Sequence, residues 1–109
     1  MSEQLLKKVV AVLDEKKGQQ IEVLNVRDKC SFTNHMVIVT GSSSRHVKSL
    51  ASEVAMMSKK TGLLPLGVEG ADVGEWALVD LGDIIVHVMQ PKIRDTYQLE
   101  KLWTVGPEI

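Results

Sequence analysis

The sequence predicts an α/β domain of the α+β kind: a single mixed β-sheet of about five strands with helices packed on it, closing with a C-terminal hairpin and a short helix. Helical and strand-like hydrophobic periods alternate along the chain. Met36 to Thr40 is a nearly continuous apolar run, as expected of a central strand covered on both sides. Gly74 to Gln90 holds two runs rich in Val, Ile and Leu around Leu81-Gly82, which reads as a β-hairpin with a two-residue turn.

The elements follow in order. From Gln4 to Lys17, Leu6, Val9, Val10 and Leu13 recur at helical spacing, and Lys16, Lys17 and Gly18 supply a basic last turn and a stop. This amphipathic helix packs on the sheet; the competing reading is a helix that binds a partner. Ile21 to Val26 is a short strand, and Arg27 to Asn34 connects it to the strand at Met36 to Thr40. After Gly41 come Ser42, Ser43 and Ser44, one of which caps a helix whose stripe is Val47, Leu50, Ala51, Val54 and Met57. That helix ends near Thr61-Gly62. Leu63 to Val68 is a strand that Pro65 confines to an edge or to a late start. After the hairpin, Ile93, Tyr97, Leu99 and Leu102 share much of a helical face within Pro91 to Trp103, and residues 104–109 form a flexible tail.

With 109 residues the chain makes one domain, long enough to bury roughly two thirds of its extended surface. A hydrophobic fraction of 44% and a charged fraction of 25% exclude the disordered class. A net charge of −1 offers no global attraction to nucleic acid, so no direct sequence-specific nucleic-acid binding is expected. The lone Cys30 excludes an internal disulfide and reads as an inert thiol in a reducing compartment. The chain has no signal-peptide core and no apolar run approaching a membrane span, so a cytoplasmic protein is expected.

The hairpin has two unlike faces, because side chains alternate along a strand. Ala77, Val79, Ile84, Val86 and Val88 form an aliphatic face suited to helices. Trp76, Leu78, Asp80, Asp83, Ile85, His87 and Met89 form the other. With Leu81 and Gly82 as the turn, Asp80 lies opposite Asp83, Leu78 opposite Ile85 and Trp76 opposite His87. A like-charge pair is unfavourable within one chain and favourable beneath a basic partner. An apolar patch with a charged margin has the composition of a binding surface, and a second core layer is the competing reading.

Other chemistry is less well supplied. The run Val39 to Arg45 joins a strand through Gly41-Ser42 to a helix N-terminus, which offers N–H groups to a phosphate. Nucleotidyl transfer also needs clustered carboxylates for magnesium. After Gly41-Ser42 the first acid is Glu53, alone in mid-helix, and Asp80 and Asp83 have no third acid at a telling spacing. His46 near the serines lacks an orienting acid, so capping is the better reading. His35, His46 and His87 show no metal-ligand spacing. No catalytic residue, cofactor or metal is expected.

Thr40-Gly41-Ser42-Ser43-Ser44-Arg45-His46-Val47, Gly62 to Gly70, Trp76 to Met89 and Arg94 to Trp103 occur together in an order that resembles the ribosomal silencing factor family, the Iojap-like proteins. The resemblance implies a domain with nucleotidyltransferase-like topology that lacks the catalytic carboxylates. It implies binding to the large ribosomal subunit through universal large-subunit protein number fourteen, which blocks small-subunit joining and represses translation when nutrients are scarce. The family's ribosome-contacting tryptophan falls on Trp76, and its acidic positions fall on Glu69, Asp80 and Asp83. Strand alternation extends the expected contact to Leu78, Ile85, His87 and Met89. Many relatives carry an Asp and an aromatic residue where this chain has Asn34-His35, so no role is carried over there. The alternatives are a nucleotidyltransferase-like enzyme at Gly41, Ser42 and Asp80, and a homodimer of the free protein through the hairpin face.

Overall fold

The computed structural model describes residues 2–28, 31 and 33–99. Cys30, Leu102, Trp103 and the expected tail at 104–109 lie outside the described residues. The elements run α1 (Ser2–Glu15), β1 (Gln19–Asn25), β2 (His35–Thr40), α2 (Ser44–Lys60), β3 (Gly67–Glu69), β4 (Trp76–Asp80), β5 (Ile84–Met89) and α3 (Pro91–Tyr97).

One five-stranded sheet has the order β1-β2-β5-β4-β3. β2 and β5 are parallel, and the other three pairings are antiparallel. The mixed sheet is therefore as the sequence predicts. Every residue of β2 and of β5 is buried, because these two strands are sandwiched both within the sheet and between layers. β3 begins only after Pro65 and forms an edge, since a residue without an N–H cannot complete a ladder.

The helical layer covers one face of the sheet. Val9 and Leu13 of α1 and Val47, Leu50 and Val54 of α2 pack on Val37, Val39, Ala77, Val79, Val86 and Val88. Full burial of each such side chain contributes roughly 1.5–3 kcal/mol. α2 starts where Ser43, in extended conformation, accepts a hydrogen bond on Oγ from the His46 N–H at 3.1 Å. This makes Ser43 the capping serine.

The opposite face is only partly open, which corrects the sequence reading. Met36, Ile38 and Met89 form a second core with Leu24 and Val26, and Trp76, Ile93 and Leu99 pack against it. Short as it is, α3 is anchored firmly. Arg94 is buried, and its guanidinium donates to the Gln20 carbonyl at 2.6 Å and the Thr40 hydroxyl at 2.9 Å. A charge-assisted contact of this kind ties α3 to the ends of β1 and β2. α3 stops at Gln98, whose left-handed backbone caps it.

The hairpin register also differs from expectation. Leu81 N–H donates to the Ile84 carbonyl, so the turn residues are Gly82 and Asp83 rather than Leu81 and Gly82. Gly82 has φ +88, at the position where a two-residue turn of this kind demands a residue free of Cβ strain. The pairs become Trp76 with Met89, Leu78 with His87 and Asp80 with Ile85. Asp80 does not face Asp83 across the ladder.

Candidate functional site

β4 enters the sheet through a tightly built corner. Gln90 donates from its backbone N–H to the Glu75 carbonyl at 3.0 Å and from Nε2 to the Gly74 carbonyl at 2.8 Å. Gly70 has φ +78, and a Cβ added there would drive into the Trp76 carbonyl oxygen. Both constraints fix where Trp76 leaves the backbone.

The Trp76 indole is half-buried and held from two sides. Its Nε1–H donates to His87 Nδ1 at 3.1 Å. The Tyr97 ring of α3 lies 4.9 Å from it between centroids, tilted by 50°, a favourable aromatic geometry. Because an indole N–H can only donate, Nδ1 of His87 accepts and the imidazole proton sits on Nε2. Burial lowers the His87 pKa from 6.5 to about 4, so the ring is neutral near pH 7. A rigidly seated indole loses little conformational freedom when a partner covers it.

The expected contact residues separate into two groups. Trp76, Leu78 and Asp80 run along β4 half-buried, with Glu69 of β3 paired beside Leu78 and exposed, and Asp83 exposed at the turn. Trp76, Leu78, Asp80 and Glu69 share one side of the sheet. Ile85 and His87 are each 7% exposed and Met89 is fully buried, so these three do not present a surface. Their expected place in an open face is corrected: Met89 is core, Ile85 is buried in the central strand β5, and His87 seats the tryptophan. Asp80 also has a local task, since its Oδ1 accepts from the Gly82 N–H at 2.9 Å and braces the turn.

Several residues of this region were not singled out from the sequence. Tyr97 was read as part of a helical core face, yet it is 54% exposed against Trp76. Leu64 and Leu66 are 69% and 74% exposed, and the Leu66 N–H donates to the Asp80 carbonyl, which sets that leucine beside the acidic end of β4. A charge count would have marked the area. Between residues 61 and 91 stand Glu69, Asp72, Glu75, Asp80 and Asp83, with no Lys or Arg. The near-neutral chain thus carries a one-signed hairpin lobe.

The Gly41-Ser42 loop is arranged differently from a catalytic site. His46 Nδ1 accepts from the Ser42 N–H at 2.8 Å and lies 3.2 Å from the Ser42 hydroxyl. With Nδ1 so engaged, Nε2 carries the proton and donates to the Lys16 carbonyl at 2.9 Å. The imidazole thereby clips the turn after α1 to the start of α2. Its orienting partner is a backbone carbonyl, not a carboxylate. Among the described residues no group of three or more His, Cys, Asp or Glu converges as metal ligands, and no helix is long and apolar enough to cross a membrane.

Fold and site together define a small mixed-sheet α/β domain whose hairpin carries an aromatic and acidic face. The family described as "Ribosomal silencing factor during starvation" matches residues 1–109. A Haemophilus influenzae protein named "Ribosomal silencing factor RsfS" is 44% identical over 99 residues, covering 91% of this chain and 97% of that protein. A crystal structure of a Chromobacterium violaceum protein superposes with a TM-score of 0.92 at 39% identity, covering 98% of this chain and 88% of the other. One from Bacillus halodurans gives 0.84 at 34% identity, covering 93% and 94%. The chain belongs to the ribosomal silencing factor family.

Proposed function

We propose that this chain is a cytoplasmic, non-enzymatic repressor of translation that occupies the large ribosomal subunit and sterically blocks small-subunit joining. Its partner is universal large-subunit protein number fourteen, met by the hairpin face. Family membership supports the ribosomal setting. The observation that carries the site assignment is the seated Trp76 indole within a lobe that has five acids and no basic residue between positions 61 and 91. The indole, with Leu78 beside it, is the apolar anchor. Glu69, Asp80 and Asp83 form an acidic margin that selects a basic partner and speeds encounter.

Losing a desolvated tryptophan anchor costs about 2 kcal/mol or more, which is about thirtyfold in affinity. Co-sedimentation with purified large subunits tests this. The Trp76→Ala protein, shown to be folded by circular dichroism, is expected to stay in the supernatant at concentrations where the wild type pellets. Equal pelleting of the two would remove Trp76 as the anchor.

A further inference from the structure

The exposed side of α2 has the opposite charge to the acidic hairpin. Residues 1–60 hold ten of the thirteen Lys and Arg in the chain and only six of its fourteen Asp and Glu, so a net charge of −1 conceals two poles. α2 concentrates the positive one. Arg45, Lys48, Ser49, Ser52, Lys59 and Lys60 are all exposed on it, and Met56 is its one exposed large apolar residue. The single acid of α2, Glu53, is half-buried in the groove against α1. Among the described residues none of the four cations makes an ion pair.

Helical geometry sets part of this group in a row. Arg45, Ser49, Ser52 and Lys59 follow at steps of four, three and seven residues, so they share one side of α2. Arg45 and Lys59 lie about 21 Å apart along the axis, at about 1.5 Å per residue. A row of cations with hydroxyls between them supplies the donors that a sugar–phosphate backbone accepts, and the short serines let that backbone come close to the helix. A helix lying on a membrane would need several large apolar side chains on its exposed side, where α2 has Met56 alone. The row also stands near the hairpin. α2 packs on β4 and β5, and a Cβ added to Gly74 would lie 2.7 Å from the Ser44 carbonyl oxygen, so the helix starts against the chain two residues before Trp76.

We propose that the exposed row of α2 binds phosphates of large-subunit RNA while the hairpin face holds the ribosomal protein. The inference rests on the ribosomal setting proposed above. Contacts of this kind fix orientation and read no sequence. They also make binding sensitive to salt, because each phosphate neutralised by Lys or Arg releases counterions.

Co-sedimentation with purified large subunits over a range of salt concentrations, beside filter binding to protein-free large-subunit RNA, tests the proposal. The Arg45→Gln, Lys48→Gln, Lys59→Gln triple variant keeps good helix formers at three exposed positions, and circular dichroism checks that it is folded. It is expected to bind large subunits at least about tenfold more weakly than the wild type at about 0.1 M salt, with a plot of log affinity against log salt shallower by about two. It is also expected to lose binding to the protein-free RNA, which Trp76→Ala retains. A triple variant that matches the wild type on large subunits in both affinity and salt slope would overturn the proposal. So would equal binding of wild type and triple variant to the protein-free RNA. An equal deficit towards isolated large-subunit protein number fourteen would overturn it too, by placing the cations against protein. Failure of the hairpin reading looks different: Trp76→Ala would then pellet with large subunits as the wild type does, while the triple variant would not.

Discussion

Replacing His87 by Asn should remove a defined part of the acid sensitivity of this fold. Asn places Oδ1 where His87 has Nδ1, so the acceptor for the Trp76 indole is retained while the titrating ring is lost. The folded-state pKa is lowered, from 6.5 to about 4, so between those values the unfolded chain binds the extra proton. Stability therefore falls as pH drops from 6.5 towards 4. The whole gap corresponds to about 3 kcal/mol, and most of it is already lost at about pH 4.5. No large discount for solvent screening applies, because His87 is only 7% exposed. Urea unfolding of both proteins, followed by circular dichroism at about pH 7 and about pH 4.5, isolates this contribution, since every other residue is common to the two proteins. The wild type should lose about 2 kcal/mol more than His87→Asn over that interval. Equal losses would refute the buried, neutral imidazole and with it the seating of Trp76.

Two further outcomes follow from local geometry. Gly70→Ala should destabilise the domain by about 2 kcal/mol or more, as measured by urea unfolding, because the new methyl meets the Trp76 carbonyl at a backbone φ of +78. Ser43→Ala should cost about 1 kcal/mol through loss of the bond to the His46 N–H, and Ser43→Asp should recover most of it.

How far the site could be read from sequence depended on which physical signal each residue carried. The faces of the hairpin were legible even though its register was not. Moving the turn from Leu81-Gly82 to Gly82-Asp83 shifts the pairing by an even number of residues, and only an odd shift exchanges the faces of a strand. Trp76, Leu78 and Asp80 therefore stayed on the expected side, whereas the supposed facing of Asp80 and Asp83 disappeared. Alternation could not reveal what covers a face. α3 is short, and its hold on the sheet comes from Arg94 reaching Gln20 and Thr40, residues distant in sequence. That long-range tether helps turn one end of an apparently open surface into core around Met89 and seats Tyr97 against Trp76. His87 shows the same limit: a polar residue in a strand pattern reads as surface until its partner, here the indole N–H, is known. The strand at Met36 to Thr40, the late edge strand after Pro65 and the serine cap were legible because each rests on a local rule.

The central claim is occupancy of the large subunit at the expense of the small one. Purified large and small subunits, mixed with this protein and resolved on a density gradient under joining conditions, test it directly. The account predicts that the protein migrates with free large subunits and that the peak of joined ribosomes shrinks as protein is added. Migration with joined ribosomes, or an undiminished joined peak while the protein remains on the large subunit, would contradict it.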